Sequence, residues 1–532
     1  MASSGTYLRS PNPRLPRSSQ PLRALLVLLL VLAAAPSLAK GKGHRPQPAV
    51  RPPAVRPSAS AVAPAVAQRP PPADDSAQEE VESPQAAEQH TANRGEDLQA
   101  IWRSAPGKMT AVGLIVDLSS GQVVFEAAPH KQVYPASVAK LFTTAAFVRT
   151  ADLDAKPVTE VRASAKSGEV ELAVIGVGDP SMTAAEWGKL ADAVKASGVT
   201  RVKKLGVDAT VFDDKLPKGF DEKNTDAAFR APVGGLSVDA STLQVVVKPG
   251  EVGNPPLVTV TPDAGEAVVV VNHATTVAKG KSSLNVVTRP NGKKTEVVVT
   301  GSLPAKAKAV GTGRRRVADS AYHAGWVFRQ LLEQKGIAVA GAPVFGKSAL
   351  TGPVVAQHVH HDWRAIAAVT NKQSHNGYAE TLFKQVGLLQ GGAPATGEKA
   401  AEGLKKALGG LEIRWDSVKI GNGSGLYHAD TVTAQAVIDL LRAMAKDKKG
   451  KDWKATLAVG GVDGTLRGRL KGKDTQGKVF AKTGTLDDVS GLAGYAERGE
   501  KVYAFAFFFN GIRGAGPYRG VQDRMLRRLL AE

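Results

Sequence analysis

Three short motifs in the 532-residue sequence carry side chains that could act together on a carbonyl group. The first is Ser137-Val138-Ala139-Lys140, in which residues i and i+3 of a predicted helix share one face and bring the amine to the hydroxyl. A serine hydroxyl becomes a good nucleophile when a base removes its proton, and a lysine can be that base when burial or a nearby cation lowers its pKa. The same spacing at Ser37–Lys40 shows that this motif alone predicts little.

The second motif is Ser374-His375-Asn376, which precedes a predicted helix over Asn376–Leu389. Its hydroxyl could relay a proton, and its amide could hold a substrate carbonyl. Two other interpretations stay open at this point. Ser374 could be the N-cap of the helix, and the same spacing occurs in Ser283-Leu284-Asn285, where no chemistry is expected.

The third motif is Lys482-Thr483-Gly484-Thr485, at the end of a predicted strand over Val479–Thr483. A strand beside a nucleophile can supply a backbone N–H to an oxyanion, and its Lys and Thr side chains can bind a substrate carboxylate. Gly484 would let the backbone approach closely. The alternative is an exposed lysine in a hairpin.

The surrounding elements predict an α/β or α+β domain that is interrupted by inserted β-rich domains. Strands are predicted over Thr110–Asp117 and Gln122–Ala127, and a helix over Ser137–Arg149. Residues 157–310 are rich in Val runs between turn residues, and helical patterns return from Ala318. The strand Val502–Phe509 carries four Phe residues that are interpreted as core.

Composition narrows the classes of protein and of site. The chain has no cysteine, which excludes disulfides, thiolate zinc sites and a cysteine nucleophile. Its 69 Lys and Arg residues against 49 Asp and Glu give a formal charge of +20, which favours nucleic acid, lipid headgroups or acidic envelope polymers as surroundings. His358, His360, His361 and Asp362 could ligate a metal, but a solvated linker is the preferred interpretation. Neither a metal nor a cofactor is expected.

The N-terminus predicts export. Residues 1–23 carry four arginines and no acid, Ala24–Ala35 is an apolar run too short to span a bilayer, and Ser37-Leu38-Ala39 offers a cleavable end. An uncleaved anchor is the alternative. We expect a signal peptide over 1–39, a disordered Pro/Ala-rich tether over 40–95, and location in the periplasm or cell envelope. Peripheral contact with the anionic envelope is then favoured over nucleic-acid binding.

The order of the three motifs, on a helix, a helix start and a strand, is that of penicillin-recognising serine enzymes. The sequence resembles the class C low-molecular-mass penicillin-binding proteins, the D-alanyl-D-alanine carboxypeptidase/endopeptidase family, over about residues 100–530. Gly176–Ser181, Gly423–Leu426 and above all Gly461–Tyr495 add to the likeness. The long insert between the first two motifs also fits this family and is longer than in β-lactamases.

The resemblance implies an acyl-transfer role for each residue of the first two motifs. Ser137 would be acylated by the penultimate D-Ala carbonyl of a peptidoglycan stem peptide, or by a β-lactam as a covalent inhibitor. Lys140 would be the general base. Ser374 would relay the proton to the leaving D-Ala amine, and Asn376 would hold both Lys140 and the substrate amide.

The resemblance also implies substrate binding by Lys482, Thr483, Gly484 and Thr485. Lys482 and Thr485 would bind the terminal carboxylate, and the backbone N–H groups of Ser137 and Thr485 would form the oxyanion hole. Lys482 would also help to keep the Lys140 amine neutral, because like charges disfavour the charged form.

Two further residues are candidates for recognition of the stem-peptide side chain. In the family an Arg and an Asp are implicated in gripping the polar end of diaminopimelate. The Asp is matched here by Asp239, whereas the region after Asn422–Leu426 has His428 where the Arg is expected. Because His is a weaker and pH-dependent cation, the preference for that side chain is open.

The family fold implies an α+β architecture: a transpeptidase/β-lactamase-like domain, with an antiparallel sheet flanked by helices, and two inserted β-rich domains. The penicillin-binding domain would comprise 96–156 and 350–532, domain II 157–238 and 309–349, and the small β domain III 239–308. The expected function is an exported serine DD-peptidase, a carboxypeptidase, an endopeptidase or both. The alternatives are a β-lactamase and a catalytically inactive cell-wall-binding scaffold.

Overall fold

A computed structural model describes the backbone of residues 84–531 and the side chains of residues 94–531. The predicted signal peptide over 1–39, and the part of the predicted tether before residue 84, lie outside the described residues.

The helices of the described range are α1 (Pro84–Arg103), α2 (Lys140–Thr150), α3 (Ala184–Ala196), α4 (Ser320–Gln334), α5 (Trp363–Lys372), α6 (Asn376–Gly391), α7 (Gly397–Ala407), α8 (Ala434–Lys446), α9 (Gly450–Ala455) and α10 (Gly516–Leu530). None of these helices, within residues 84–531, is both long and apolar enough to cross a membrane.

The strands are β1 (Thr110–Asp117), β2 (Val123–Ala127), β3 (Thr159–Ala163), β4 (Gly168–Ile175), β5 (Val199–Asp208), β6 (Thr242–Lys248), β7 (Leu257–Thr261), β8 (Val268–Asn272), β9 (Thr275–Val277), β10 (Asn285–Asn291), β11 (Lys294–Thr300), β12 (Ser302–Pro304), β13 (Val310–Gly311), β14 (Arg315–Arg316), β15 (Ala338–Val339), β16 (Val344–Phe345), β17 (Val354–His358), β18 (Ala458–Val459), β19 (Val479–Leu486), β20 (Val489–Arg498) and β21 (Lys501–Asn510).

The sheet that carries the third motif has the order β18-β19-β20-β21-β1-β2 and is antiparallel throughout. Both of its faces are covered, which explains why β21 carries only aliphatic and aromatic residues from Val502 to Phe509. Alternate side chains point to opposite faces, so Ala506 and Phe508 pack with α2 and α8, whereas Phe507 and Phe509 pack with α10. The interpretation of these Phe residues as core is confirmed.

A second sheet, β15-β5-β4-β3-β17 with β16 also on β5, packs against α3 and α4. Trp187 of α3 is fully buried there and its ring lies 5.4 Å from that of Phe328 in α4. The remaining strands form small sheets: β6 with β7, β13 and β14, then β10-β11-β8, then β12-β9. They share a Val-rich core that includes Val245, Val297 and Val299.

The α+β fold class is confirmed, and three predicted boundaries shift. The first helix begins at Pro84, inside the predicted tether. Proline is favoured in the first turn of a helix, and the Ala, Gln and Glu residues that follow it favour helix. β17 pairs with β3, so residues 354–358 lie with the second sheet. β13 and β14 pair with β6, so 310–316 lie with the small sheets. With these shifts, we propose the division into three domains that the sequence predicts.

Candidate active site

The Ser137 hydroxyl and the Lys140 amine are brought together by a 3₁₀ turn. This turn spans Ala136–Ala139 and runs directly into α2, where the sequence predicts a continuous helix from Ser137. A 3₁₀ helix has three residues per turn, so positions i and i+3 eclipse one another. Lys140 Nζ therefore lies 2.8 Å from Ser137 Oγ.

The Lys140 side chain is fully buried and makes two further hydrogen bonds. Its Nζ donates to Asn376 Oδ1 at 2.8 Å and to the Ser424 backbone carbonyl at 2.7 Å. Burial lowers the pKa of Lys140 to about 7, against the opposing charges of Glu380 and Asp430. A neutral amine keeps two N–H donors, enough for Asn376 and Ser424, and its lone pair then accepts the Ser137 hydroxyl proton.

In the second motif, Ser374-His375-Asn376, the serine does not cap the helix that follows. His375, not Ser374, is the N-cap of α6, and its Nδ1 accepts from the Tyr378 backbone N–H at 3.4 Å. The N-cap interpretation of Ser374 is therefore wrong. Ser374 has a φ of 59°, in the left-handed region that is costly for residues with a side chain. Its hydroxyl accepts a hydrogen bond from Lys482 Nζ at 2.8 Å.

Lys482 is fully buried, which excludes the interpretation as an exposed hairpin lysine. Besides Ser374, its amine donates to the Thr483 carbonyl at 2.8 Å. Burial lowers the pKa of Lys482, and the charge of Lys140 lowers it further. The sequence predicted the reverse influence, of Lys482 on Lys140. In the structure burial is the main cause of the lowered pKa of Lys140, because that amine has no contact with water.

β19 passes directly against the turn that carries Ser137. A Cβ added to Gly484 would lie 2.5 Å from the Pro135 carbonyl oxygen, so only glycine permits this approach. The hydroxyls of the two threonines that flank Gly484 are hydrogen-bonded to residues outside the motif. Thr483 Oγ1 lies 3.0 Å from the hydroxyl of Thr465, and Thr485 Oγ1 accepts from Arg519 at 3.1 Å.

The loop after residue 421 closes the other side of the Lys140 amine. A Cβ on Gly425, which has a φ of 72°, would lie 1.9 Å from the Ala136 carbonyl oxygen. The buried Glu380 carboxylate accepts from the backbone N–H groups of Gly423 at 3.0 Å and Ser424 at 2.8 Å. This contact orients the Ser424 carbonyl toward Lys140.

Sequence reasoning missed Glu380 and the Ser424 carbonyl. A signal for Glu380 existed, because it lies four residues after Asn376 and therefore on the same face of α6. It also missed Asn510, whose side-chain amide accepts from the Tyr134 N–H at 2.7 Å and donates to the Tyr134 carbonyl at 3.1 Å. That amide ties the segment before Ser137 to the end of β21.

A cavity of about 430 Å³ opens beside Ser137 and is lined also by Asn376, Thr485 and His428. His428 Nδ1 lies 2.8 Å from Glu222 Oε1, and its Nε2 lies 3.5 Å from Asp488 Oδ2.

The structure does not join Asp239 to His428. Asp239 accepts from the Ala184 N–H at 3.2 Å and pairs with Arg314 at 3.1 Å. It is not among the residues that line the Ser137 cavity within the described range. Each of the two has a nearer partner of opposite charge, Arg314 for Asp239 and Glu222 for His428. Recognition of the stem-peptide side chain by Asp239 and His428 stays a prediction.

Two buried amines, each hydrogen-bonded to a serine hydroxyl beside the edge of an antiparallel sheet, are the arrangement expected of a serine-type peptidase with a transpeptidase-like fold. The chain belongs to the D-Ala-D-Ala carboxypeptidase 3 (S13) family, whose profile matches residues 96–530. It is a serine-type carboxypeptidase, and the predicted family resemblance is confirmed.

Similar proteins agree with this assignment. A D-alanyl-D-alanine carboxypeptidase of Actinomadura sp. (strain R39) is 35% identical over 456 residues, which cover 82% of this chain and 84% of the relative. The D-alanyl-D-alanine carboxypeptidase DacB of Haemophilus influenzae is 27% identical, over 75% and 85% of the two chains. The crystal structure of penicillin binding protein 4 from that organism has the same fold, with a TM-score of 0.72 at 21% identity, and covers 82% of this chain and 100% of its own.

We predict that Gly484→Ala lowers kcat/KM for D-Ala release by about 100-fold, because the added methyl group pushes β19 away from the Ser137 turn by roughly an ångström. Release of D-Ala from a peptide ending in D-Ala-D-Ala measures the effect. Gly468→Ala is the matched control, since its added Cβ meets no atom within 4 Å. Equal activities of the two variants would contradict the prediction.

Proposed function

We propose that this carboxypeptidase is exported and that it cleaves peptidoglycan stem peptides through an acyl-enzyme on Ser137. It releases the terminal residue of D-Ala-D-Ala, opens D-Ala cross-links, or does both, and it is inhibited by β-lactams. The observation that carries the proposal is the 2.8 Å contact between Ser137 Oγ and a buried Lys140 amine whose pKa is about 7.

In the acylation step Ser137 Oγ attacks the penultimate D-Ala carbonyl carbon while its proton passes to Lys140 Nζ. The carbonyl oxygen becomes an oxyanion, which the backbone N–H groups of Ser137 and Thr485 stabilise. Two features support this arrangement. β18 pairs with β19 only at Ala481 and Phe480, which leaves the edge of β19 from Lys482 onward without a partner strand. Gly484 of this edge lies directly against the segment that leads into the Ser137 turn.

Collapse of the oxyanion breaks the C–N bond and expels D-Ala as an amine, which needs a proton. Ser374 donates its hydroxyl proton to that nitrogen and regains one from Lys482, to which it is hydrogen-bonded at 2.8 Å. Asn376 holds the substrate amide while its Oδ1 restrains Lys140. Lys482 is recharged with the proton that Lys140 took from Ser137, so Lys140 is neutral again. Water then attacks the ester carbonyl carbon, and Lys140 takes its proton. Lys140 returns this proton to Ser137 Oγ as the C–O bond of the ester breaks, which releases Ser137.

The terminal carboxylate of the substrate binds beside β19. Lys482, Thr483 and Thr485 offer donors there, and Gly484 permits the approach. Arg519 donates a hydrogen bond to Thr485 Oγ1 at 3.1 Å and adds a positive charge beside this hydroxyl. A substrate without a free carboxylate would leave these donors unpaired, which favours a chain end over an internal peptide bond.

A β-lactam fits the same chemistry, because its amide bond lies in a ring. Attack by Ser137 opens the ring without releasing a leaving group, so the whole drug stays on the enzyme. A structure of the Haemophilus influenzae penicillin binding protein 4 in complex with a β-lactam has a TM-score of 0.68 to this chain, with 82% of this chain and 100% of that chain covered. The names of the relatives likewise support D-Ala-D-Ala as the substrate.

We predict that benzylpenicillin raises the intact mass of the protein by one drug molecule and that peptide mapping places it on Ser137. Ser137→Ala takes up no drug and loses at least about 1,000-fold in D-Ala release. Ser283→Ala, in the decoy triplet of the small sheets, behaves as wild type. A cross-linked peptide dimer assayed in parallel measures the endopeptidase activity.

Two results of this experiment would contradict the proposal. Adduct-free protein with intact drug would favour an inactive wall-binding scaffold. Adduct-free protein with hydrolysed drug would favour a β-lactamase.

We predict that the acylation rate rises with pH and levels off above about pH 7. Below that pH Lys140 is protonated and has no lone pair for the Ser137 proton, so the rate falls about tenfold per pH unit. Stopped-flow acylation by a chromogenic β-lactam measures the profile. Lys140→Arg stays charged and is slow at every pH, and a pH-independent wild-type rate would rule out Lys140 as the base.

Export is supported by the basic, apolar and small-residue segments of residues 1–39. We predict that the protein recovered from the envelope of its host begins at Lys40, as N-terminal sequencing would show. An N-terminus at Ala2 or Met1 would favour the uncleaved anchor, and recovery from the cytoplasm would contradict export.

A further inference from the structure

A carboxylate and two imidazoles converge in a cluster that uses no residue of the three motifs. Glu186 lies in the first turn of α3, His358 is the last residue of β17, and His360 follows in the connection to α5. One ligand atom from each side chain lies within 4.8 Å of the other two. As the sequence predicts, residues 359–362 form a connecting segment, but these residues and His358 are only partly exposed to solvent.

The contacts within this cluster centre on one oxygen. His358 Nε2 lies against Glu186 Oε2, and His360 Nδ1 is 3.6 Å from the same atom. The three side chains are largely shielded from water, with 9% of Glu186, 15% of His358 and 28% of His360 exposed. Two imidazole nitrogens and one carboxylate oxygen are a ligand set that zinc accepts, with a water molecule in the fourth position.

The surroundings of the cluster favour a dication. Asp179 is buried, and its Oδ2 has no hydrogen-bond partner among the described residues. Burial raises the pKa of Asp179, and the hydrogen bonds from Ser181 and the neighbouring His360 and His361 oppose this effect. Lys189 is the cation beside Glu186, at 3.0 Å, and its side chain is 65% exposed and can move into solvent.

We propose that Glu186, His358 and His360 bind one Zn²⁺ ion. The ion would tie α3, which packs on the second sheet, to the segment that leads from β17 into α5. Asp362 is the N-cap of α5, and the first residue of the helix, Trp363, donates its N–H to the Ala155 carbonyl. The site therefore lies where the chain returns to the proposed penicillin-binding domain. The proposal concerns stability and domain connection and is independent of the acyl-transfer mechanism.

The test uses full-length protein purified without a histidine tag and stripped of metal with a chelator. Calorimetric titration with zinc chloride should show one site per chain with a dissociation constant in the micromolar range or tighter. Zinc should also raise the thermal unfolding midpoint by a few degrees. Cobalt chloride, as a coloured substitute, should give the visible absorption of a four-coordinate site with nitrogen and oxygen ligands.

Glu186→Gln, His358→Asn and His360→Asn should each weaken zinc binding more than tenfold and abolish the cobalt absorption. His273→Asn is the matched control, because His273 is exposed in the small β region. Penicillin acylation, which needs no residue of the cluster, verifies that each variant is folded.

Two outcomes would overturn the proposal. The wild-type protein would bind no zinc tighter than about 100 µM, in which case the cluster is a hydrogen-bonded His–Glu pair. Alternatively, the cluster variants would bind as His273→Asn does, which would place the ion elsewhere. If a variant does not react with penicillin, it is treated as misfolded, and the cobalt spectrum of the wild-type protein tests the site instead. A spectrum typical of octahedral cobalt with only oxygen ligands would contradict binding by Glu186, His358 and His360.

Discussion

The removal of the Lys140 amine from water is the constraint on which the site depends. An exposed lysine is charged at neutral pH and cannot take a proton from serine, so burial is what makes it a base. Burial in turn requires a hydrogen-bond partner for every polar hydrogen. Asn376 and the Ser424 carbonyl supply these partners. They come from α6 and from the loop before Leu426, and the two elements are held together by Glu380.

Close packing of backbone against backbone is the second condition. Gly425 and Gly484 each approach a carbonyl oxygen at the start of the Ser137 turn, of Ala136 and Pro135 respectively, more closely than a residue with a Cβ allows. The proposed nucleophile, Ser137, is thus held by main-chain contacts that do not depend on side-chain rotamers. Rigid placement of this kind matters because an error of about 1 Å in a reacting atom is costly to the rate.

The residues with reactive side chains could be predicted from the sequence because their types and order are specific. The structure brings Ser137, Lys140 and Asn376 together, as well as Ser374 with Lys482. Residues that act through their surroundings could not be predicted in the same way. The Ser424 carbonyl is an atom that every residue has.

Contacts between distant parts of the chain were the hardest to predict. Glu186 meets His358 only because β17 returns to the second sheet, whereas the sequence placed that segment in the catalytic domain. The same holds for Asp239 and His428, whose partners Arg314 and Glu222 belong to other segments. Charged side chains pair with the nearest opposite charge in space, and the spacing of residues along the sequence does not reveal which charge that is.

The order of strands also determines when, during synthesis, the protein becomes reactive. β1 is paired along its length with β21, from Thr110 opposite Asn510 to Asp117 opposite Tyr503. Ser137 therefore leaves the ribosome early. β19, which lies against the Ser137 turn, and Asn510, whose side-chain amide binds Tyr134, are synthesised near the end. Such distant pairings form slowly. A nascent chain that ends before Asn510 thus lacks both the partner strand of β1 and the amide that binds Tyr134, so the proposed site can be completed only when the polypeptide is nearly full length.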